Sequence, residues 1–466
     1  MSTRQERPLG LLEKYQTSKQ LTHAYGNITM TALLDHESIV SQPAETFYMQ
    51  CFVPALTRLI HHHAALSMVV RDKTENSIHF EQLTSIDLDK VICIRSPLSL
   101  SLLIKEQTTT EFDLDSFLPL WRITIVPQTP TSCIVSLAMH HVLGDGMSLC
   151  IVWQALLQAL QTIETKPTVD KVTIVKKMHL PLPYELSNAP EMSLLWDVVP
   201  VICKSLIPKI LPTSIARRLD PLSSEGWQGD FKAAVDGETH DTQIGTIHVP
   251  LDIWKPLVEA SKKRGISPHA ILFVTMLLAW KRLYPGQTTE TTTPINCRGL
   301  CQPAVSADRV GNFVGSYTGV WTGQQLDESE KDIWKMATRY HQDLQTNKKE
   351  AAKQALFLKY LPEFPASYCD FWYDKRKNSR LGRTGGLELS DLGRFHDPEA
   401  TSSSWKLKQL YFAQSAQIFT CAFGLNTISV RDELYCTYGW QKGALDEAKI
   451  GLYHDIFIGI LKNVPF

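Results

Sequence analysis

The sequence predicts an α/β protein with mixed sheets, arranged in two halves, and three observations carry that prediction. Its 466 residues are more than one hydrophobic core usually organises. Strand-like runs and helix-periodic runs follow one another through both halves of the chain. One apolar run, Cys133-Ile134-Val135-Ser136-Leu137-Ala138-Met139, is long enough for a buried strand and too short for a helix. It passes through His140-His141-Val142-Leu143-Gly144-Asp145-Gly146 into a segment where Leu149, Ile151, Val152, Trp153, Leu156, Leu157 and Leu160 recur at helical spacing.

The first half opens with a helix over Leu9 to Leu21 and a strand over Ile28 to Leu34. A helix from Glu45 to His63 and a strand from Leu66 to Arg71 follow. Three consecutive imidazoles, His61-His62-His63, cannot share one helical face. They read as a helix C-terminus, where cationic and donor side chains are favoured, and not as a metal site.

From about Thr162 to Asp241 the chain has the character of a crossover, opened by Lys166-Pro167 and broken by Pro181, Pro183 and Pro190. Inside it Met192 to Pro208 is apolar, but Asp197, Lys204 and its prolines rule out a simple membrane span. Packing within the protein and contact with a membrane surface are both open for this stretch, and so for its continuation to residue 212.

The second half starts with an alternating strand, Ile244 to Val249, and a helix around Leu251 to Arg264. Ser267 suits an N-cap and Pro268 a first helical position, and His269 to Tyr284 is apolar nearly all round, so that helix is expected to be buried. The Thr288-to-Thr293 run leads into a strand at Pro294 to Cys297, and Leu326 to Glu330 reads as a loop and helix start. Basic, Gly-containing Lys375 to Thr384 reads as a mobile loop. Strands at Ala416 to Phe423, Thr427 to Val430 and Glu433 to Tyr438 then precede a final helix. The boundaries this gives are an N-terminal half over 1–185, a crossover over 186–240 and a C-terminal half over 241–466.

Composition excludes several classes. Lys+Arg 47 against Asp+Glu 48 leaves a net charge of −1, with no basic excess to hold a nucleic acid. The longest basic runs, Lys262-Lys263-Arg264 and Lys375-Arg376-Lys377, are triplets that read as solvated charge. Met1 to Arg7 has no apolar core of the kind a signal peptide needs, and no run of 18 apolar residues is present. Ten cysteines without a framework pattern read as reduced thiols. A cytoplasmic protein without a transmembrane segment is expected.

The turn after the buried strand is where chemistry is expected. A lone His at a strand end is commonly a hydrogen-bonded structural residue. A second His with Asp-Gly at fixed spacing points instead to a general base, because imidazole accepts and returns a proton near neutrality. Adjacent strand residues point to opposite faces, so His140 and His141 do not share an ion, and no His-x-x-x-His or paired Cys-x-x-Cys supports a metal. Four residues past His141 and beyond a glycine, Asp145 should point away from the cavity and act through structure. The Gly-x-Ser-x-Gly elbow of hydrolases is absent.

His-His-x-x-x-Asp-Gly resembles the motif of the acyltransferase superfamily that includes chloramphenicol acetyltransferase, the plant CoA-dependent acyltransferases and peptide-synthetase condensation domains. Other stretches are similar to the fungal alcohol O-acetyltransferase family within it. These are Arg7-Pro8-Leu9-Gly10 with Glu13-Lys14-Tyr15, the strand Trp121-Arg122-Ile123-Thr124-Ile125-Val126-Pro127, Pro294-Ile295-Asn296-Cys297-Arg298, Gly311-Asn312-Phe313-Val314-Gly315, and Glu388-Leu389-Ser390-Asp391-Leu392-Gly393. The chain departs from the superfamily in two places. It lacks the plant-type Asp-Phe-Gly-Trp-Gly, and Asp391 stands where the family has Asn, which removes an amide donor.

The resemblance implies two chloramphenicol acetyltransferase-like subdomains with the active-site tunnel between them, and direct acyl transfer in a ternary complex. His141 would be the general base, with Asp145, Gly146 and Arg298 supporting its turn through an Asp145–Arg298 pair. His140, Gly311, Asn312, Phe313, Ser390, Asp391 and Gly393 would belong to the substrate and CoA tunnel, with Ser415 and Thr420 as hydroxyl candidates for the oxyanion. Lys262-Lys263-Arg264 and the Ser267 helix start would be placed to face CoA phosphates, should the triplet not be simply solvated. The function implied is a CoA-dependent O-acyltransferase of secondary metabolism, moving an acyl group, acetyl as first choice, from acetyl-CoA or another acyl-CoA to a hydroxyl of a small molecule or secondary metabolite. It would hold no permanently bound cofactor and no metal, work as a monomer, and allow peripheral membrane contact. Two alternatives stand beside it: a free-standing condensation-type enzyme using a carrier-protein thioester or an amine acceptor, and a non-catalytic binding protein of the same fold.

Overall fold

The computed structural model describes residues 3–24, 26–37, 42–162, 170–193, 197, 226–232, 240–398 and 405–465. In the first half the strands are Thr3–Pro8 (β1), Asn27–Asp35 (β2), Met68–Arg71 (β3), His79–Leu83 (β4), Ser85–Asp87 (β5), Ile92–Ile94 (β6), Trp121–Thr129 (β7), Ser132–His140 (β8) and Val172–Ile174 (β9). In the second half they are Thr242–Val249 (β10), Thr289–Asn296 (β11), Val314–Trp321 (β12), Leu387–Arg394 (β13), Lys406–Gln414 (β14), Phe423–Val430 (β15) and Glu433–Gln441 (β16). First-half helices are Leu11–Leu21 (α1), Ala44–Ile60 (α2), Leu100–Thr109 (α3) and Gly146–Thr162 (α4).

Two large sheets result. One runs β14-β2-β8-β7-β6 and the other β10-β16-β15-β13-β11-β12. β8 lies inside the first, antiparallel to β2 and β7, with Asn27 opposite His140. Its run of apolar residues fits a strand covered on both faces. β14 leaves the second half to pair antiparallel with β2, so the edge that β2 would expose is covered.

Each large sheet has its own core. Phe52, Leu66, Trp121, Ile123, Val135, Leu149 and Trp153 pack in the first, and Ile271, Phe273, Leu277, Leu389, Leu425 and Phe457 in the second. The all-round apolar helix of the sequence is Pro268–Leu283, buried along nearly its whole length. Among the described residues no helix is long and apolar enough to cross a membrane. Met192, Ser193 and Asp197 apart, the apolar stretch of the crossover lies outside the described residues.

Several local expectations are corrected. The strand expected at Ala416 to Phe423 is Lys406–Gln414, and residues 415–422 form the connection to β15. Ile418 and Phe419 are buried there by packing against Trp372, so an apolar run marks burial without being a strand. The basic loop expected from Lys375 begins as the last turn of a helix, Ala366–Asn378, and Lys375 Nζ sits 4.4 Å from the Phe371 ring centroid and 5.3 Å from that of Trp372. Leu326 to Ser329 ends a helix, Gly323–Ser329, whose N-terminus is closed by a Thr322–Gln325 capping box. Ser267 occupies the N-cap position, but its hydroxyl makes no capping bond.

Candidate active site

The turn from β8 into α4 is fixed from below by Asp145. Its carboxylate Oδ1 accepts the Ser148 N–H at 2.9 Å, the three-residue reach of an N-cap, and the Ser148 hydroxyl at 2.9 Å. Arg298, in the short turn after β11, donates to Oδ2 at 2.8 Å and to Oδ1 at 3.0 Å. The Phe313 N–H adds a bond at 3.1 Å. Burial alone would raise the Asp145 carboxyl, but Arg298 and the Phe313 and Ser148 N–H groups outweigh it and hold the carboxyl below its ordinary range. Arg298 is itself saturated, donating further to the carbonyls of Arg309 and Gly311, with its guanidinium 4.8 Å from the Phe313 ring centroid. The carboxylate is thus committed to joining the two halves.

Ser148, which no motif pointed to, ties the knot. Its hydroxyl meets the Gly311 carbonyl at 3.0 Å and the Gly311 N–H at 3.0 Å, besides Asp145. A Cβ on Gly144 would lie 2.6 Å from the Ser148 Cβ, so that glycine is demanded by close approach.

Above this knot, Asn312 grips His141. Its Nδ2 donates to the main-chain carbonyls of His141 at 2.8 Å and Val142 at 3.1 Å. The amide orientation is thereby fixed, and Oδ1 faces His141 Nδ1 at 3.1 Å. An amide oxygen only accepts, so Nδ1 carries the proton of the neutral ring and the Nε2 lone pair is the basic one. Burial, followed by the positive charge of Lys19, pushes His141 down to about 4. The imidazole is therefore neutral across the neutral pH range.

His140 points the other way. It is buried, its Nδ1 accepts the Val142 N–H at 2.9 Å, and burial brings it down to about 3. It braces the turn from within the first half and does not line the cavity.

The cavity that His141 faces lies between the sheets and holds about 450 Å³, within the range of small-molecule sites. His141, Gly146, Asn312, Ser390, Asp391 and Thr420 line it, together with residues of α1, β11, β12, β13 and β14. It shares Leu361, Phe371, Lys375 and Thr384 with an open groove of about 530 Å³ on the surface. Gly311 and Phe313 sit behind it, on the Asp145 side, lining a separate small space with Arg7 and Glu13.

Other residues named from the sequence fall outside the cavity. Ser415 is buried behind the sheet, bonded to the carbonyls of Asn27 and Thr108. Gly393 serves the turn, with φ +70 and an N–H donated to Asp391 Oδ1 at 2.9 Å. Thr420 differs from these in lining the cavity, where its hydroxyl donates to Gln417 Oε1 at 3.3 Å. Lys262, Lys263 and Arg264 do not reach the cavity, and the Arg264 guanidinium lies over Trp334.

Asp391, where an Asn was expected, is held as an anion. It pairs with His269 Nδ1 at 3.0 Å and accepts from the Thr427 hydroxyl at 2.8 Å. Burial opposes its ionisation, yet His269, Gly393 and Thr427 keep the carboxyl below its usual value. Lost with the amide is a donor, and His269 is the group that answers the charge.

Sequence reasoning also missed the wall facing these groups. Tyr15, Gln16 and Lys19 of α1 and Glu388 of β13 all line the cavity. Among the described residues no group of three or more His, Cys, Asp or Glu could hold a metal ion.

Comparison with known proteins bears on family and fold. Residues 103–463 match the sequence model of the family described as alcohol acetyltransferase. The chain is 24% identical over 442 residues to an uncharacterised protein of Schizosaccharomyces pombe, covering 92% of this chain and 90% of that one. It is similar in fold to a trichothecene 15-O-acetyltransferase from Fusarium sporotrichioides, with TM-score 0.67, 11% identity, and 99% and 96% of the two chains covered. A second similar fold is the starter condensation domain of rhizomide synthetase, solved in complex with C8-CoA and Leu-SNAC, with TM-score 0.60, 12% identity, and 99% and 94% coverage.

Proposed function

The chain belongs to the alcohol acetyltransferase family, and we propose that it moves an acetyl group from acetyl-CoA to the hydroxyl of a small molecule, with His141 as general base. The observation that carries this reading is the Asn312–His141 clasp, which holds a neutral imidazole with a basic Nε2 at the wall of the cavity between the sheets.

In this reading the acceptor hydroxyl oxygen attacks the thioester carbonyl carbon while its proton passes to His141 Nε2. The tetrahedral adduct collapses, the carbon–sulfur bond breaks, and the proton moves from Nε2 to the departing thiolate. Ester and CoA thiol leave, and the imidazole returns to its starting state. Asp145 and Arg298 act as the brace of the turn, and Asn312, Ser390, Asp391 and Thr420 as walls of the substrate space. No acyl-enzyme forms, so both substrates are present together.

The test is release of free thiol and formation of ester when the protein meets acetyl-CoA and a panel of alcohols. Initial rates should give intersecting lines. Parallel lines, or an isolable acyl-enzyme, would contradict direct transfer. A second reading, acyl transfer to an amine or from a carrier-bound thioester, is favoured by the likeness to the starter condensation domain. It predicts amide formation when an amino acid thioester is offered in place of the alcohol.

A further inference from the structure

One helix supplies a polar wall to a cavity that a simple alcohol would not require. Gln16 and Lys19 stand three residues apart on α1, hence on one face of it, and both line the cavity. Each is only 7–8% exposed or less, as is Glu388 on β13 opposite: Gln16 7%, Lys19 7%, Glu388 8%. Gln16 Oε1 is buried without a hydrogen-bond partner among the described residues. An acceptor oxygen left so in a protein interior costs free energy unless a ligand or water donates to it.

Lys19 is arranged to meet an oxygen. Its ammonium bonds Gln417 Oε1 at 3.2 Å and lies 4.9 Å from the Tyr15 ring centroid and 5.4 Å from that of Trp372. Three N–H donors let an ammonium serve more than one acceptor at once. Burial lowers Lys19 to about 8, with Glu388 opposing and Lys375 adding to the fall, so it stays largely protonated at pH 7.

The charges of this wall are balanced. The cations Lys19 and Lys375 face the carboxyl groups of Glu388 and Glu290, all four on the cavity lining, while Asp391 and Asp145, also on the lining, are paired with His269 and Arg298. Glu388 is in turn bonded by the Gln414 amide at 2.5 Å. A ligand bearing a full charge would unbalance the set in a site with little water to screen it. A neutral ligand with hydrogen-bonding oxygens would not.

We propose that Gln16 and Lys19 read a second oxygen on the acceptor, so that the acceptor is a neutral molecule with at least one hydroxyl besides the reacting one. That hydroxyl donates to Gln16 Oε1 and accepts from the Lys19 ammonium. This rests on the reading of the cavity as the site of acyl transfer. A site built around a substrate hydroxyl discriminates against the analogue lacking it, because its own polar groups are then left unpaired.

The experiment compares cis-1,2-cyclohexanediol with cyclohexanol at pH 7, in wild type, Gln16→Leu and Lys19→Met. Thiol release from acetyl-CoA is followed, and equilibrium binding of each alcohol is measured in parallel. The wild type should favour the diol by about tenfold or more in kcat/KM and in binding. Both variants should shrink that ratio, by slowing and weakening the diol more than the mono-alcohol. Equal treatment of the two alcohols by the wild type, or a ratio unchanged in the variants, overturns the proposal. Failure of the acyl-transfer reading looks different: no thiol is released with either alcohol, and the binding preference alone then decides. Because the wild type is itself diagnostic, a variant that fails to fold does not spare the idea.

Discussion

Asn312 holds His141 at two points, its Nδ2 on the main-chain carbonyl at 2.8 Å and its Oδ1 on ring Nδ1 at 3.1 Å. The partners are 171 residues apart in the chain, one from each half, and meet on the same wall of the cavity. Closure of the two halves therefore sets the tautomer of the imidazole.

Removing that amide should hurt catalysis more than stability. Asn312→Ala is expected to lower kcat by about 10- to 100-fold, part of the ~10²–10⁴ that a positioned base supplies. The check is kcat from thiol release beside a thermal melt. A variant with unchanged kcat would mean that the ring needs no such grip.

Asp145→Asn should lower activity and stability together. Breaking one side of a buried ion pair costs about 3–5 kcal/mol, because the other charge stays buried without its partner. Differential scanning calorimetry of Asp145→Asn and Arg298→Met should show large falls in Tm for both single variants. Small falls would remove the pair from the joint between halves.

Stability should decline on acidification in two stages. His140 and His141 are held down to about 3 and about 4, below the ordinary histidine value near 6.5. A group with a depressed folded value contributes fully above its unfolded pKa and loses that contribution as pH falls towards the folded one. The contribution of these two imidazoles to the urea midpoint should thus be constant above about pH 7 and fall from pH 6.5 towards 4. Asp145, also held low, adds a further loss below about pH 4. A midpoint that rises between pH 7 and 5 would contradict the buried neutral imidazoles.

The pH–rate profile carries a matching signature. The acid limb of kcat/KM should lie well below 6.5, towards the value of about 4 held by His141. Burial is the larger cause of that depression and the Lys19 charge the next. Lys19→Met should therefore move the acid limb to higher pH. A limb that stays in place would show that the Lys19 charge does not reach the ring.

What could be read from the chain was whatever is local or locally patterned. The apolar run into β8, the glycine-bearing turn and the periodic start of α4 are contiguous, and so the strand–turn–helix was legible. Resemblance brought His141, Asp145, Arg298 and Asn312 onto one page, and the structure brings them together in space. Ser148 escaped because a serine near a helix start is common, and the partners that tie its hydroxyl to the second half, Arg298 and Gly311, lie 150 and 163 residues away. Gln16 and Lys19 escaped for a similar reason. On a lone helix they read as a solvated face, and only the opposite wall, with Glu388, turns that face inward. β14 was missed because an edge strand is recognised by its partner, and its partner is β2.

Thiol release by His141→Ala tests the central claim most directly. With acetyl-CoA and an accepted alcohol at pH 7, the variant should turn over at least ~10²-fold more slowly than the wild type, with an unchanged circular dichroism spectrum and melt. Turnover near the wild-type rate in a folded His141→Ala protein would contradict a base at this position and the mechanism built on it.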